Sequence, residues 1–186
     1  MSDFYLLYQP KMNDNVIVGL EALLRPVNAM QSVPEYLANV TNTVALDLMV
    51  MKLCLKDVEQ HGIKIPVSIN IHPTSLLNDY FVFSAIRQLK DHHIVLELVE
   101  HQDVDLNDKF INNVSLLKQN NIEISIDDFG KDFARTDLAL TIGADEVKFD
   151  RSLVQDIETN YSKFRHLSFL YSKIITLCTR KVILKA

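Results

Sequence analysis

Short apolar runs alternate with longer amphipathic stretches along this chain. Phe4-Tyr5-Leu6-Leu7-Tyr8 reads as a strand from its aromatic and aliphatic content. Asn13-Asp14-Asn15 reads as a turn and Val16 to Leu24 as a second strand, so the chain opens with a hairpin. The spacing of Leu, Met and Val predicts a long helix from about Glu35 to Gln60, interrupted near Thr41 to Thr43. A regular alternation follows. Strands are predicted at 67–71, 94–98, 122–126 and 146–149, and helices at 74–90, 106–119, 134–141 and 152–178. Lys181 to Leu184 starts another strand.

Strands alternating with helices predict an α/β fold with a parallel sheet covered by helices, its strands short and apolar because both faces are buried. A barrel and an open doubly wound sheet both fit this pattern. No Gly-rich phosphate loop follows the first strand, which weighs against the dinucleotide-binding version of the open sheet. With 186 residues the default is one domain, residues 1–186, large enough for a real core.

Composition narrows the function classes. The formal net charge is −5, a poor match for duplex nucleic acid, which rewards a basic face. A small phosphorylated ligand stays open, because bound metal can supply positive charge locally. Cys54 and Cys178 lie in apolar helical stretches and read as buried free thiols. No Cys/His group has zinc spacing. The start, Met-Ser-Asp-Phe, is unlike a signal peptide, and no uncharged apolar run reaches the roughly 20 residues that span a bilayer. The expected location is cytoplasmic.

Polar residues interrupt the apolar strands at their C-terminal halves: Glu21, Asn70, Glu97, Asp127 and Asp128, and Lys148. Taken singly, Glu97 fits a solvent-facing edge position, Asp127-Asp128-Phe129-Gly130 a turn, and Lys148 a surface charge. Together they are harder to dismiss, because an ionised group inside an apolar strand is costly unless it is paired or binds a metal. In a barrel the C-terminal strand ends converge on one rim, where active sites lie. Four carboxylates and an amide oxygen suit Mg²⁺ or Mn²⁺ better than zinc, and adjacent aspartates can serve two metals in phosphoester hydrolysis. Of the histidines, His72 follows a strand and could face the rim; none is assigned to a metal.

These residues resemble the EAL-domain family of cyclic di-GMP phosphodiesterases. The motifs stand as Tyr8-Gln9-Pro10, Glu21-Ala22-Leu23-Leu24-Arg25, Ser68-Ile69-Asn70, Glu97-Leu98-Val99-Glu100, Asp127-Asp128-Phe129-Gly130 and Glu146-Val147-Lys148-Phe149, in the family's order. The resemblance implies a TIM-like (β/α) barrel with an antiparallel first strand. It implies Mg²⁺- or Mn²⁺-dependent hydrolysis of cyclic di-GMP to the linear dinucleotide pGpG, in bacterial second-messenger signalling. It implies metal ligation by Glu21, Asn70, Glu97 and Asp127, with Asp128 at a second metal and Lys148 orienting the attacking water. Gln9, Leu23 and Arg25 would contact the dinucleotide, and Glu100 would support the loop after the aspartate pair. In the family that loop couples metal binding to a homodimer.

Three departures accompany the likeness. The loop reads Lys131-Asp132-Phe133-Ala134-Arg135 where small residues and a second glycine are usual. The stretch after Arg25 is short, with Pro26 where tryptophan is common. A barrel of this type needs about 250 residues, so its C-terminal elements, including a Glu-Gly-Val-Glu motif and a guanine-contacting glutamine, are expected to be missing. Low activity is therefore expected of the 186-residue polypeptide. Two other readings are a cyclic di-GMP sensor that does not cleave its ligand and a protein-interaction scaffold without nucleotide affinity.

Overall fold

The computed structural model describes residues 3–13, 15–99, 105–129, 133–177 and 181–184. Its seven strands are β1 (Phe4–Asn13), β2 (Val16–Pro26), β3 (Val67–Ile71), β4 (Ile94–Leu98), β5 (Glu123–Phe129), β6 (Glu146–Phe149) and β7 (Lys181–Leu184). They form one sheet in chain order. β1 pairs antiparallel with β2, and every later pair is parallel. The helices are α1 (Val33–Ala38), α2 (Thr43–His61), α3 (Asp79–Leu89), α4 (Asp108–Gln119), α5 (Phe133–Ile142), α6 (Arg151–Val154) and α7 (Tyr161–Leu177).

The sheet curls. Lys11 on β1 donates to Glu146 on β6 at 2.9 Å, a contact possible only if the sheet bends round on itself. The fold is thus a curled, TIM-like half-barrel with helices outside, as expected, and not an open doubly wound sheet. Among the described residues β1 and β7 are its edges.

Element boundaries follow local chemistry. The long predicted helix is two helices, broken where expected. Ser32 caps α1 in a reciprocal capping box with Glu35, and the Asn42 side chain caps α2 by accepting from Ala45 N. Gly62 ends α2 in the left-handed conformation that glycine adopts without a Cβ penalty. Asn78 and Asn107 cap α3 and α4 in the same way as Asn42. The predicted helix 74–90 begins instead as a 3-10 turn over Pro73–Leu77, and 152–178 divides into α6 and α7. β2 and β5 run further than expected, so Glu21 lies mid-strand and Asp127 and Asp128 lie within β5.

Register fixes which side chains share a face. Ile69, Ile71, Leu96, Leu98, Ile124, Ile126, Val147 and Phe149 point outward into the helical layer, where they meet Met51, Phe81, Phe110 and Leu117. Each such side chain contributes roughly 1.5–3 kcal/mol by leaving water. Their alternates, Ser68, Asn70, Glu97, Ser125, Glu146 and Lys148, fall on the concave side. Cys54 is fully buried in α2, and its thiol is pushed up to about 12 by burial. Cys178 lies outside the described residues. Among those residues, no helix is long and apolar enough to cross a membrane.

Candidate functional site

Lys148 organises the concave face. Its side chain is 2% exposed, so it is not the surface charge that the residue alone would suggest. Its Nζ lies 2.7 Å from Glu21 Oε2 and 2.5 Å from Glu97 Oε1. Asn70 Nδ2 stands 3.4 Å from Glu21 Oε1 and completes the link to β3. Glu97 is fully buried in a central strand, not at an edge. Among the described residues its Oε2 has no hydrogen-bond partner, and Lys11 Nζ stands 4.0 Å from it.

Asp127 and Asp128 join them through a break in strand geometry. Successive strand residues ordinarily face opposite sides. Asp128 adopts φ 49°, a left-handed conformation that aspartate tolerates better than most residues, and the β5–β6 register shifts there. Both carboxylates consequently line one cleft with Glu21 and Asn70. The cleft holds about 340 Å³ and is also lined by Leu23, Arg25, Asp47, His72 and the apolar side chains of Val33, Leu37, Leu46 and Val50. Glu97 and Lys148 lie buried beneath it, tied in through Glu21.

Acid outnumbers base here, and the titration behaviour reflects it. Burial pushes the Glu97 carboxyl up, and the charges of Glu21 and Asp127 add to burial against the pull of Lys148, leaving it at about 7. Burial also opposes ionisation of Glu21, but the Lys148 ammonium and the Asn70 bond outweigh it and hold this carboxyl below its usual value. Burial pushes Lys148 down, yet Glu97 and Glu21 overcome this and keep it charged. A buried oxygen-rich pocket short of positive charge, with an orphaned carboxylate oxygen, fits a hard divalent cation of the Mg²⁺ or Mn²⁺ type. The donors are not pre-gathered. Among the described residues no three His, Cys, Asp or Glu side chains form a ready cage, and the Lys148 ammonium stands between Glu21 and Glu97.

The remaining expected residues are placed as follows. Gln9 is exposed on β1 and pairs in register with Glu21. Arg25 donates from Nη1 to the Leu24 carbonyl at 2.8 Å, which fixes the guanidinium at the cleft. Glu100 and the loop segment 130–132 lie outside the described residues.

Several polar residues escaped the sequence reading. Lys11 Nζ bonds Ser68 Oγ at 2.6 Å and Glu146, and Ser125 Oγ donates to Glu146 at 3.0 Å. Ser68, Ser125 and Glu146 each precede by two residues a position already singled out, so strand alternation could have found them. Lys11 and Asp47 carry no such signal. Asp47, buried on α2, accepts from His72 N, His72 Nδ1 and Ser75 Oγ.

The EAL domain family profile matches residues 2–181. This chain belongs to the EAL domain family. Among curated relatives of this EAL chain is the probable cyclic di-GMP phosphodiesterase PdeA of Escherichia coli K12, 33% identical over 61% of this chain and 17% of its own length. Another is the probable cyclic di-GMP phosphodiesterase PdeI of the same organism, 25% identical over 91% of this chain and 24% of its own length. The chain thus spans a quarter or less of the relatives it matches. The fold agrees with the EAL domain protein of Listeria monocytogenes at TM-score 0.83 and 22% identity, over 98% of this chain and 77% of that one. It also agrees with a manganese and cyclic di-GMP complex of Klebsiella pneumoniae BlrP1 at TM-score 0.80 and 20% identity, over 97% of this chain and 49% of that one.

Proposed function

We propose that residues 1–186 act as a cyclic di-GMP phosphodiesterase unit that opens one phosphodiester to give linear pGpG with Mg²⁺ or Mn²⁺. The observation that carries this reading is the acidic cleft of Glu21, Asn70, Asp127 and Asp128 above the buried Glu97–Lys148 pair, in a chain of the EAL family. Relatives named as cyclic di-GMP phosphodiesterases support it. Glu21, Asn70, Glu97 and Asp127 would hold one cation and Asp128 would serve a second. Bound there, such cations lower the pKa of water and offset charge on the phosphoryl oxygens.

The chain's own residues supply the rest. The water oxygen bonds to phosphorus, the P–O3′ bond breaks, and the proton the water gives up ends on the departing 3′-oxygen. Lys148 carries a held proton at Nζ and donates it as a hydrogen bond to the attacking water, aiming a lone pair at phosphorus. Arg25 presents its remaining N–H groups to a phosphate oxygen, for which the guanidinium fork is well shaped. Leu23 offers an apolar contact and Gln9 a polar one to the dinucleotide. The substrate implies a cytoplasmic setting, where guanine nucleotides are abundant.

Incubation with cyclic di-GMP and Mn²⁺, followed by chromatography, should yield pGpG, at a low rate from the 186-residue polypeptide. Intact cyclic di-GMP from a chain that binds it in Ca²⁺ calorimetry would replace the hydrolase reading with the sensor. No affinity at all would remove both and leave the scaffold.

A further inference from the structure

His72 is anchored with unusual care for a residue at a strand end. Asp47 on α2 is 1% exposed, and an ionised group so buried is costly unless fully bonded. Among the described residues, its side-chain bonds go to one short segment. Oδ2 accepts from the His72 backbone N–H at 2.8 Å and from Ser75 Oγ at 2.6 Å, and Oδ1 lies 3.0 Å from His72 Nδ1. The carboxylate therefore pins both the backbone and the ring. With Nδ1 committed, Nε2 is the ring's remaining polar atom, on a side chain that lines the acidic cleft and keeps 17% exposure. His72 also stands two residues beyond Asn70, just past the end of β3, and both line the same cleft.

A merely structural histidine would not need this arrangement. Serine or backbone donors could satisfy Asp47 without leaving a second ring nitrogen at the cleft wall. Fixing one imidazole nitrogen with a buried carboxylate sets which nitrogen is free and where it points, the usual way a histidine is oriented for a ligand. The neighbouring wall is apolar, formed by Val33, Leu37, Leu46 and Val50. An apolar wall with one fixed polar group suits a nucleoside moiety, whose flat surface packs while its N–H, O–H or ring nitrogen takes the hydrogen bond.

We propose that His72 is a further nucleotide-contacting residue of the cleft, bonding the base edge or a ribose hydroxyl through Nε2, and that Asp47 is its positioning residue. The inference rests on the phosphodiesterase reading for the identity of the nucleotide, and the experiment separates the two. Cyclic di-GMP is titrated calorimetrically in Ca²⁺ against wild type, His72→Ala, His72→Gln and Asp47→Asn, with Mn²⁺ titrated alone and thermal melting recorded. If wild type does not bind, the cyclic di-GMP reading fails and this inference fails with it. If wild type binds, His72→Ala should weaken the nucleotide about tenfold, as expected for one lost hydrogen bond worth about 1.4 kcal/mol. Mn²⁺ affinity should stay unchanged. His72→Gln, whose amide reaches a similar place, should recover most of the loss. Asp47→Asn should weaken the nucleotide less than His72→Ala and should change the imidazole ¹⁵N signature of His72. Wild-type affinity in His72→Ala overturns the proposal. So does equal weakening in His72→Ala and His72→Gln accompanied by a common fall in melting temperature, which assigns His72 to the fold alone.

Discussion

The two faces of one sheet follow opposite rules. Lys148 and Phe149 are neighbours in β6, yet they live in different chemistries. Phe149 points outward and meets Phe129 edge-to-face, ring centroids 5.4 Å apart, within an apolar layer shared with the helices. Lys148 points inward to two carboxylates. The outer face is stabilised by removing apolar surface from water, a term that tolerates similar shapes. The inner face consists of buried charge, which stabilises weakly in total but is costly to disturb one partner at a time. The lesson is that burial alone does not identify a core: both faces are buried, and only one of them is there to hold the molecule together.

The comparison can be broken at four points. Phe149→Ala should lower unfolding stability by about 3–5 kcal/mol through loss of area and a residual cavity, read in urea titrations. A loss under about 1 kcal/mol would show that the outer face is not the structural one. Next door, Lys148→Met should lower turnover of cyclic di-GMP by about 10²–10³-fold, the usual cost of deleting one pre-aimed donor. Steady-state assays at saturating Mn²⁺ measure it, and retained turnover would detach Lys148 from the chemistry.

The third concerns pH. The Glu97 carboxyl stands at about 7 in the folded state because burial disfavours its charge. The folded protein then keeps a proton that the unfolded chain releases near the ordinary carboxylate value. The contribution of Glu97 to stability in the absence of metal is therefore greatest at acid pH and falls as pH rises to about 7, by up to about 3 kcal/mol, levelling off above. Glu97→Gln should flatten that slope in urea titrations across pH 4.5–8; an unchanged slope would assign it elsewhere. The smallest effect is expected from Ser125→Ala, which removes the 3.0 Å bond to Glu146 while leaving Lys11 as its partner. About 1 kcal/mol of stability should go, with little change in turnover. A large loss of activity would extend the reactive region deeper into the half-barrel.

Much of this was legible in advance. Ser68, Asn70, Glu97, Lys148 and their apolar alternates carry a period of two that marks strands with unlike faces. Three boundaries were less accessible. The 3-10 turn after Pro73, the extension of β5 through Asp128 and the division of the last helical stretch depend on contacts with distant elements, which override local preference. Asp47 was invisible for a related reason. A lone aspartate in an amphipathic helix reads as solvent-facing, and only packing reveals that α2 turns it inward toward His72.

The sequence by itself determined the order of strands and helices, the identity of the acidic and basic groups, and which residues within each strand share a side, because these depend on spacing along the backbone. Tertiary structure alone decided which groups meet. The curl of the sheet brings Lys11 to Glu146 and Lys148 to Glu21, and a single left-handed residue turns both Asp127 and Asp128 into one cleft. The physical reason is range: strand and helix patterns are set by neighbours a few residues away, whereas the energy of a buried charge depends on partners more than a hundred residues distant.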